Sequence, residues 1–136
     1  MNRAPIPAAQ FLPHKPPMTM IDSILEISST VRVAAHIRPD NRFLNTDGLL
    51  DRSAIPELVA QATAAFNTCR NKGVVNQGLL ALARNIQFFH DIHVNDDIII
   101  NLKEESPIKN WGIITFDIHT AQNTLCAQGE ISVCIL

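Results

Sequence analysis

Ser53–Gly73, SAIPELVAQATAAFNTCRNKG, decides how the rest of the chain must be arranged. The stretch predicts one long helix. Ala54, Ile55, Leu58, Val59, Ala60, Ala62, Ala64, Ala65 and Phe66 cover nearly all of its circumference. A helix that is apolar on most sides is normally buried. Four alanines between Ala60 and Ala65 leave little side-chain bulk, so another group can approach closely. Ser53 is placed as the N-cap and Pro56 in the first turn, where a missing N–H does no harm. Lys72-Gly73 predicts the stop, with a cation in the last turn and glycine after it. The one carboxylate in the stretch is Glu57, near its start. Burying a charge costs several kcal/mol unless it is paired or changes protonation state. Such a group is therefore either well satisfied or used.

Around this helix the pattern has period two. Met18–Ile27 predicts a first strand. Thr30–Arg38 predicts a second, with Val31, Val33, Ala35 and Ile37 on one face and Arg32, Ala34, His36 and Arg38 on the other. Residues 39–52 form a loop rich in Asn, Asp and Gly. After the helix, strands are expected over Gly78–Phe88, Ile98–Glu105, Trp111–Thr120 and Thr124–Ile135. Leu80, Leu82, Arg84 and Ile86 share one side of the first of these. Leu125, Ala127, Gly129, Ile131, Val133 and Ile135 share one side of the last. Short turns between consecutive strands imply an antiparallel meander. Residues 1–17 hold five of the eight prolines and read as an extended arm. A flat sheet cannot cover such a helix. A curved antiparallel sheet wrapped around it can, giving one α+β domain over 1–136, and a second copy would cover what one sheet leaves open.

Composition narrows the function. The apolar share is 46% and the charged share 18%, as in a globular domain. Net charge is −2, with no block of Lys or Arg, which argues against nucleic acid or an anionic membrane as the main partner. No apolar run approaches the roughly 18 residues a membrane span needs. The proline-rich start lacks the apolar stretch of a secretory signal, so the expected location is cytoplasmic. Cys69, Cys126 and Cys134 suggest neither a disulfide framework nor a zinc site. No glycine loop for phosphate and no Gly-x-Ser-x-Gly elbow is present, and neither a metal nor a cofactor is expected.

Three stretches resemble a known family. Phe11-Leu12-Pro13-His14-Lys15-Pro16-Pro17-Met18, followed by Ile21-Asp22, is similar to an opening Leu-Pro-His-Arg-x-Pro, an apolar run, and Val-Asp-Arg. Ile55-Pro56-Glu57-Leu58-Val59-Ala60-Gln61-Ala62 resembles a helix motif Glu-x-x-Ala-Gln. His90–Asp97 (HDIHVNDD) resembles a turn that carries Val-x-Pro-Gly-Asp, with the Pro-Gly absent here. All three belong to the hotdog-fold beta-hydroxyacyl-(acyl carrier protein) dehydratases, and the likeness spans nearly the whole chain.

The resemblance implies a hotdog fold and removal of water from a 3-hydroxyacyl thioester, giving a trans-2-enoyl thioester in fatty-acid, polyene or polyketide-type synthesis. In that family a histidine and the helix carboxylate act together across a dimer interface, the histidine taking the alpha proton and the carboxylate protonating the leaving hydroxyl. Glu57 inherits the carboxylate role, and Gln61, one turn on, a supporting place beside the substrate. The acyl thioester would arrive on acyl carrier protein or coenzyme A. The family's Gly-His-Phe-Pro histidine is missing: residues 41–48 read Asn-Arg-Phe-Leu-Asn-Thr-Asp-Gly, and no histidine lies between His36 and His90. Asp47 or Asn45 occupies the corresponding place. His14 is the leading substitute for the base. Two other readings follow: a half-site or non-catalytic subunit paired with a related hotdog chain, or an acyl thioesterase, which the same fold hosts.

Overall fold

The computed structural model describes residues 6–7, 19–70, 79–105 and 111–135. Strands β1 (Ile6–Pro7), β2 (Ser23–Ile27) and β3 (Val31–His36) precede a single helix, α1 (Ala54–Arg70). Four longer strands follow: β4 (Leu79–Phe88), β5 (Asp97–Glu104), β6 (Trp111–Thr120) and β7 (Leu125–Ile135). All pair antiparallel in one sheet of order β1-β2-β3-β5-β6-β7-β4. The helix touches β4 at one edge and also β7 and β5. From β4 to β5 is three strand spacings, about 14 Å. A helix roughly 10 Å across bridges that span only if the sheet bends around it. This is the hotdog architecture that the sequence implies.

Alternation puts the core where the pattern places it. Val31, Val33 and Ala35 of β3, Ile98, Ile100 and Leu102 of β5, and Ile114, Phe116 and Ile118 of β6 are buried against Ala54, Ile55, Leu58, Val59, Ala62, Ala65 and Phe66 of α1. Each fully buried Val, Leu or Ile contributes about 1.5–3 kcal/mol relative to exposure. The helix is not covered all round, however. Glu57 is exposed, and Ala60 and Ala64, at helical spacing beyond it, are only partly buried. One narrow strip of α1 therefore faces away from the chain's own sheet.

Four expectations change. The strands β5, β6 and β7 form a meander, but β4 pairs with β7 at the far edge while β5 pairs with β3. The link between β4 and β5 thus passes across the sheet. Periodicity fixes strands but leaves their neighbours open. The strand expected over Met18–Ile27 is Ser23–Ile27; residues 19–22 lie outside any strand, and Met18 lies outside the described residues. In β4 the alternation breaks at Asn85, which has φ +55°, and the register with β7 shifts between Arg84 and Gln87. Leu82 stays outward at 63% exposure, whereas Ile86 turns in and packs on the core. In β7 a register shift opposite Ile118 and His119 turns Leu125 outward and buries Cys126 in its stead.

Candidate active site

The helix start is set by the loop before it. Asp51, two residues ahead of the expected cap Ser53, takes the capping role. Its Oδ1 accepts the Ser53 amide at 2.9 Å, while Ala54 N–H donates to the Asp51 carbonyl. Hydrogen bonds from Ser53 hold the Asp51 carboxyl below its ordinary range. The preceding turn is built on Asn45, whose Oδ1 accepts the amides of Asp47 (2.9 Å) and Leu49 (3.0 Å). Gly48 follows with φ +76°, and a Cβ there would lie 3.3 Å from Val94 Cγ1. Leu50 N–H donates to the Ile92 carbonyl, and Val94 N–H donates to that of Gly48, which fastens this loop to the β4–β5 turn. Asp47 is thus an exposed member of a tight turn.

On α1, Glu57 stands in the first turn, where free amides and the helix dipole favour a negative charge. Gln61 lies one turn later and is buried at 5% exposure. Its Nε2 donates to Glu57 Oε1 at 3.0 Å, and its Oε1 accepts the backbone N–H of Met20 at 2.8 Å. Met20 belongs to the segment that leads into β2. That segment is anchored at Asp22, whose N–H donates to the Ala34 carbonyl and whose carboxylate accepts the His36 amide and the Arg38 guanidinium (2.6 Å). The Ile21-Asp22 motif therefore clamps the segment that reaches Gln61. Thr19 Oγ1 and Thr63 Oγ1 are buried with no hydrogen-bond partner. Close to the helix start, the Arg52 guanidinium stacks over the Phe88 ring, 4.9 Å from its centroid.

The structure brings Glu57 and Gln61 together, as their spacing predicts. Asp47 stays in its turn, and His14 lies outside the described residues. His36 and His119 sit on the sheet face turned away from the helix, His36 against Asp97 (2.7 Å) and His119 against Asp117 (3.1 Å) and Asn101. His93 pairs with Asp96, and His90 Nδ1 lies 2.8 Å from the Asp91 carbonyl. Among the described residues no group of His, Cys, Asp or Glu has metal-binding geometry. None of the described helices is long and apolar enough to cross a membrane. The Met20 amide is the participant the sequence could not reveal, because any residue type can present a backbone N–H.

Two cavities lie elsewhere. One, of about 470 Å³, is lined by Ile27, Val31, Phe66, Leu102 and Ile114 with Lys103. Phe66 is nine positions beyond Glu57, half a revolution round the helix, so this cavity opens on the opposite face. The other, of about 360 Å³, lies by the β4 bulge between Gln87, Asp117, Gln128 and Glu130.

The ApeP-like family, described as ApeP dehydratase, matches residues 6–135. No curated protein matches the sequence. Among solved structures, the dehydratase heterocomplex ApeI:P from Xenorhabdus doucetiae superposes with a TM-score of 0.82 at 19% identity, covering 96% of this chain and 91% of that one. Zebra fish thioesterase superfamily member 2 gives 0.70 at 16% identity, over 94% and 91% of the two chains. The protein smu.793 from Streptococcus mutans UA159, bound to acetyl CoA, gives 0.66 at 12% identity, over 92% and 95%. At these identities the structural likenesses are of fold.

Proposed function

We propose that this chain, which belongs to the ApeP-like dehydratase family, supplies Glu57 as the acid that removes water from a 3-hydroxyacyl thioester. The observation that carries this reading is the position of Glu57. It is the helix's one carboxylate, exposed at the head of a strip of small residues, with one oxygen held by a buried amide. In the elimination a base takes the proton from C2, and the C–H pair becomes the C2–C3 double bond. The C3–O bond breaks with its electrons, and the departing hydroxyl takes the proton of the Glu57 carboxylic acid and leaves as water. Glu57 ends as a carboxylate and the base as its conjugate acid. A second protomer or a related subunit, laid on the Ala60–Ala64 strip, would dry the carboxyl and close an acyl channel whose thioester comes from acyl carrier protein or coenzyme A.

Two sources of the base fit the chain: its own His14, or a histidine from a related hotdog subunit. The second is favoured by the want of any histidine between His36 and His90, and by the location of His36 and His119 on the far face of the sheet. A heterocomplex is also what the name of the ApeI:P structure describes for its own chains.

The test is hydration of a crotonyl or longer enoyl thioester by the purified protein, alone and mixed with a histidine-bearing hotdog subunit. Glu57→Gln is expected to abolish turnover while the fold survives, and unchanged turnover removes Glu57 from the mechanism. Activity only in the mixture identifies a half-site subunit. Thiol released in place of water added, followed with a thiol dye, would move the protein to the thioesterases.

A further inference from the structure

We propose that the cavity of about 470 Å³ beside Phe66 is a second binding site, which takes an uncharged hydrophobe: an alkyl or aryl molecule with no ionised head group. The inference does not rest on the role given to Glu57.

The walls come from strands whose register sets apolar side chains in one row. Ile27 of β2 is the ladder partner of Val31 of β3, and Val31 is the partner of Leu102 of β5. Ile114 of β6 stands next to this row, opposite Glu104. Phe66 of α1 supplies the facing wall. It lies about 13 Å along the helix axis from Glu57 and half a turn round it. An occupant here would therefore be separate from anything held on the strip that runs from Glu57.

Packed interiors leave few voids larger than one water. This hollow has room for roughly fifteen, at about 30 Å³ each. Water gains little from it, because an ordered molecule needs polar partners. Among the described residues, Thr19 and Thr63 hold the buried side-chain oxygens that lack a partner, and neither lines the cavity. Polar groups at the rim are largely used by the chain itself. Ser28 Oγ is held between the Glu26 carboxylate (2.9 Å) and the Thr30 carbonyl (3.1 Å). The Lys103 carbonyl accepts the Thr115 hydroxyl at 3.4 Å, and Glu104 has an interaction of its own. Lys103 and Glu104 are neighbours of opposite charge, so neither a carboxylate nor an ammonium head is favoured. Recognition is left to apolar contact, and a charge carried inside would go unpaired. A cavity of about 150 Å³ with walls of this kind takes benzene, so the larger one here suits roughly ten carbons or two fused rings.

The test uses the purified full chain and the uncharged fluorophore N-phenyl-1-naphthylamine, which brightens in apolar surroundings. Saturable binding is expected, with a melting temperature that climbs as fluorophore is added, as for any ligand of the folded state alone. 1-Decanol should displace it at concentrations at least about tenfold below those needed with decanoate or decylamine, whose heads are ionised at neutral pH. Equal or better displacement by either ion overturns the uncharged class. Amide NMR of the unaltered protein during the same titration locates the site. Shifts are expected to gather at Ile27, Val31, Leu102 and Ile114. Shifts gathered at Glu57, Ala60 and Ala64 instead would put the fluorophore on the open strip of α1 and overturn the proposal, as would a lack of saturable binding. Ile27→Trp fills the hollow from its partly buried edge and should weaken binding at least about tenfold. Ala60→Trp, on the strip, should leave the affinity within about twofold, since distant sites act independently. The reverse pattern overturns the proposal, and the NMR result decides it whether or not Ile27→Trp folds.

Discussion

Gly129 marks the point where β7 is pressed hardest by its surroundings. A Cβ added there would sit 3.1 Å from Ile86 Cα and 3.1 Å from both Cε2 and Cζ of Phe116. Neither neighbour can yield easily. Ile86 Cα is backbone at the bulge of β4, and Phe116 is a core side chain at 4% exposure. Overfilling such a place costs about 1–3 kcal/mol. Alanine offsets about 0.4–1 kcal/mol of this by restricting the unfolded chain. The net loss is then about 1–2 kcal/mol. With an unfolding entropy near 2.1 cal/mol/K per residue, a 136-residue chain loses about 3–4 °C per kcal/mol, so Gly129→Ala should melt about 4–7 °C lower. Circular dichroism melts read this directly. Phe116→Leu in the Gly129→Ala background removes two of the three contacts, and a double-mutant cycle should show the second change costing less there than alone. An alanine variant that melts at or above wild type would refute the account of a backbone packed against the bulge.

Leu58→Ala empties a fully buried position on the sheet side of α1 and should lose about 2–5 kcal/mol in urea unfolding. Asp51→Asn keeps a cap but removes its charge. Because the folded Asp51 carboxyl lies below the ordinary 3.8, its charge stabilises the fold above that pH, and the contribution is lost as pH falls through the lower folded value. Wild type should therefore out-melt the Asn variant at neutral pH, with the gap closing toward strong acid; a gap constant with pH would count against the cap. Burial, with a smaller push from the Asp96 charge, raises the Cys126 thiol. In the native protein Cys126 should alkylate far more slowly than Cys134, which is only partly buried, and peptide mapping by mass spectrometry that finds equal rates would contradict the packing of β7.

Much of the fold was legible because burial repeats. The alternation of Val31, Val33 and Ala35 and the apolar run of α1 each have a period that names the element and its inward face. What failed to show were departures from periodicity. Asn85 gives no warning that it will take a left-handed conformation and turn Ile86 inward, and Leu125 looks like every other inward residue of β7. Such bulges are settled by the neighbouring strand. The helix cap moved for a related reason, since Asp51 and Ser53 are equally good capping residues and loop geometry chose between them. At the candidate site, i,i+4 spacing joined Glu57 to Gln61 in advance, but the second partner of Gln61 is main chain, which has no signature in a sequence.

The strand order has a consequence for how the molecule is made. β4 leaves the ribosome directly after α1, yet its ladder partner is β7, so Leu79 must wait for Ile135. Until then the greasy flank of α1 lacks two of the strands that shelter it. Long-range pairing of this kind is slow and exposes sticky surface during synthesis. A nascent chain stalled before β7 should remain unfolded and draw holding factors, and its collapse to the native state should come only with the closing strand.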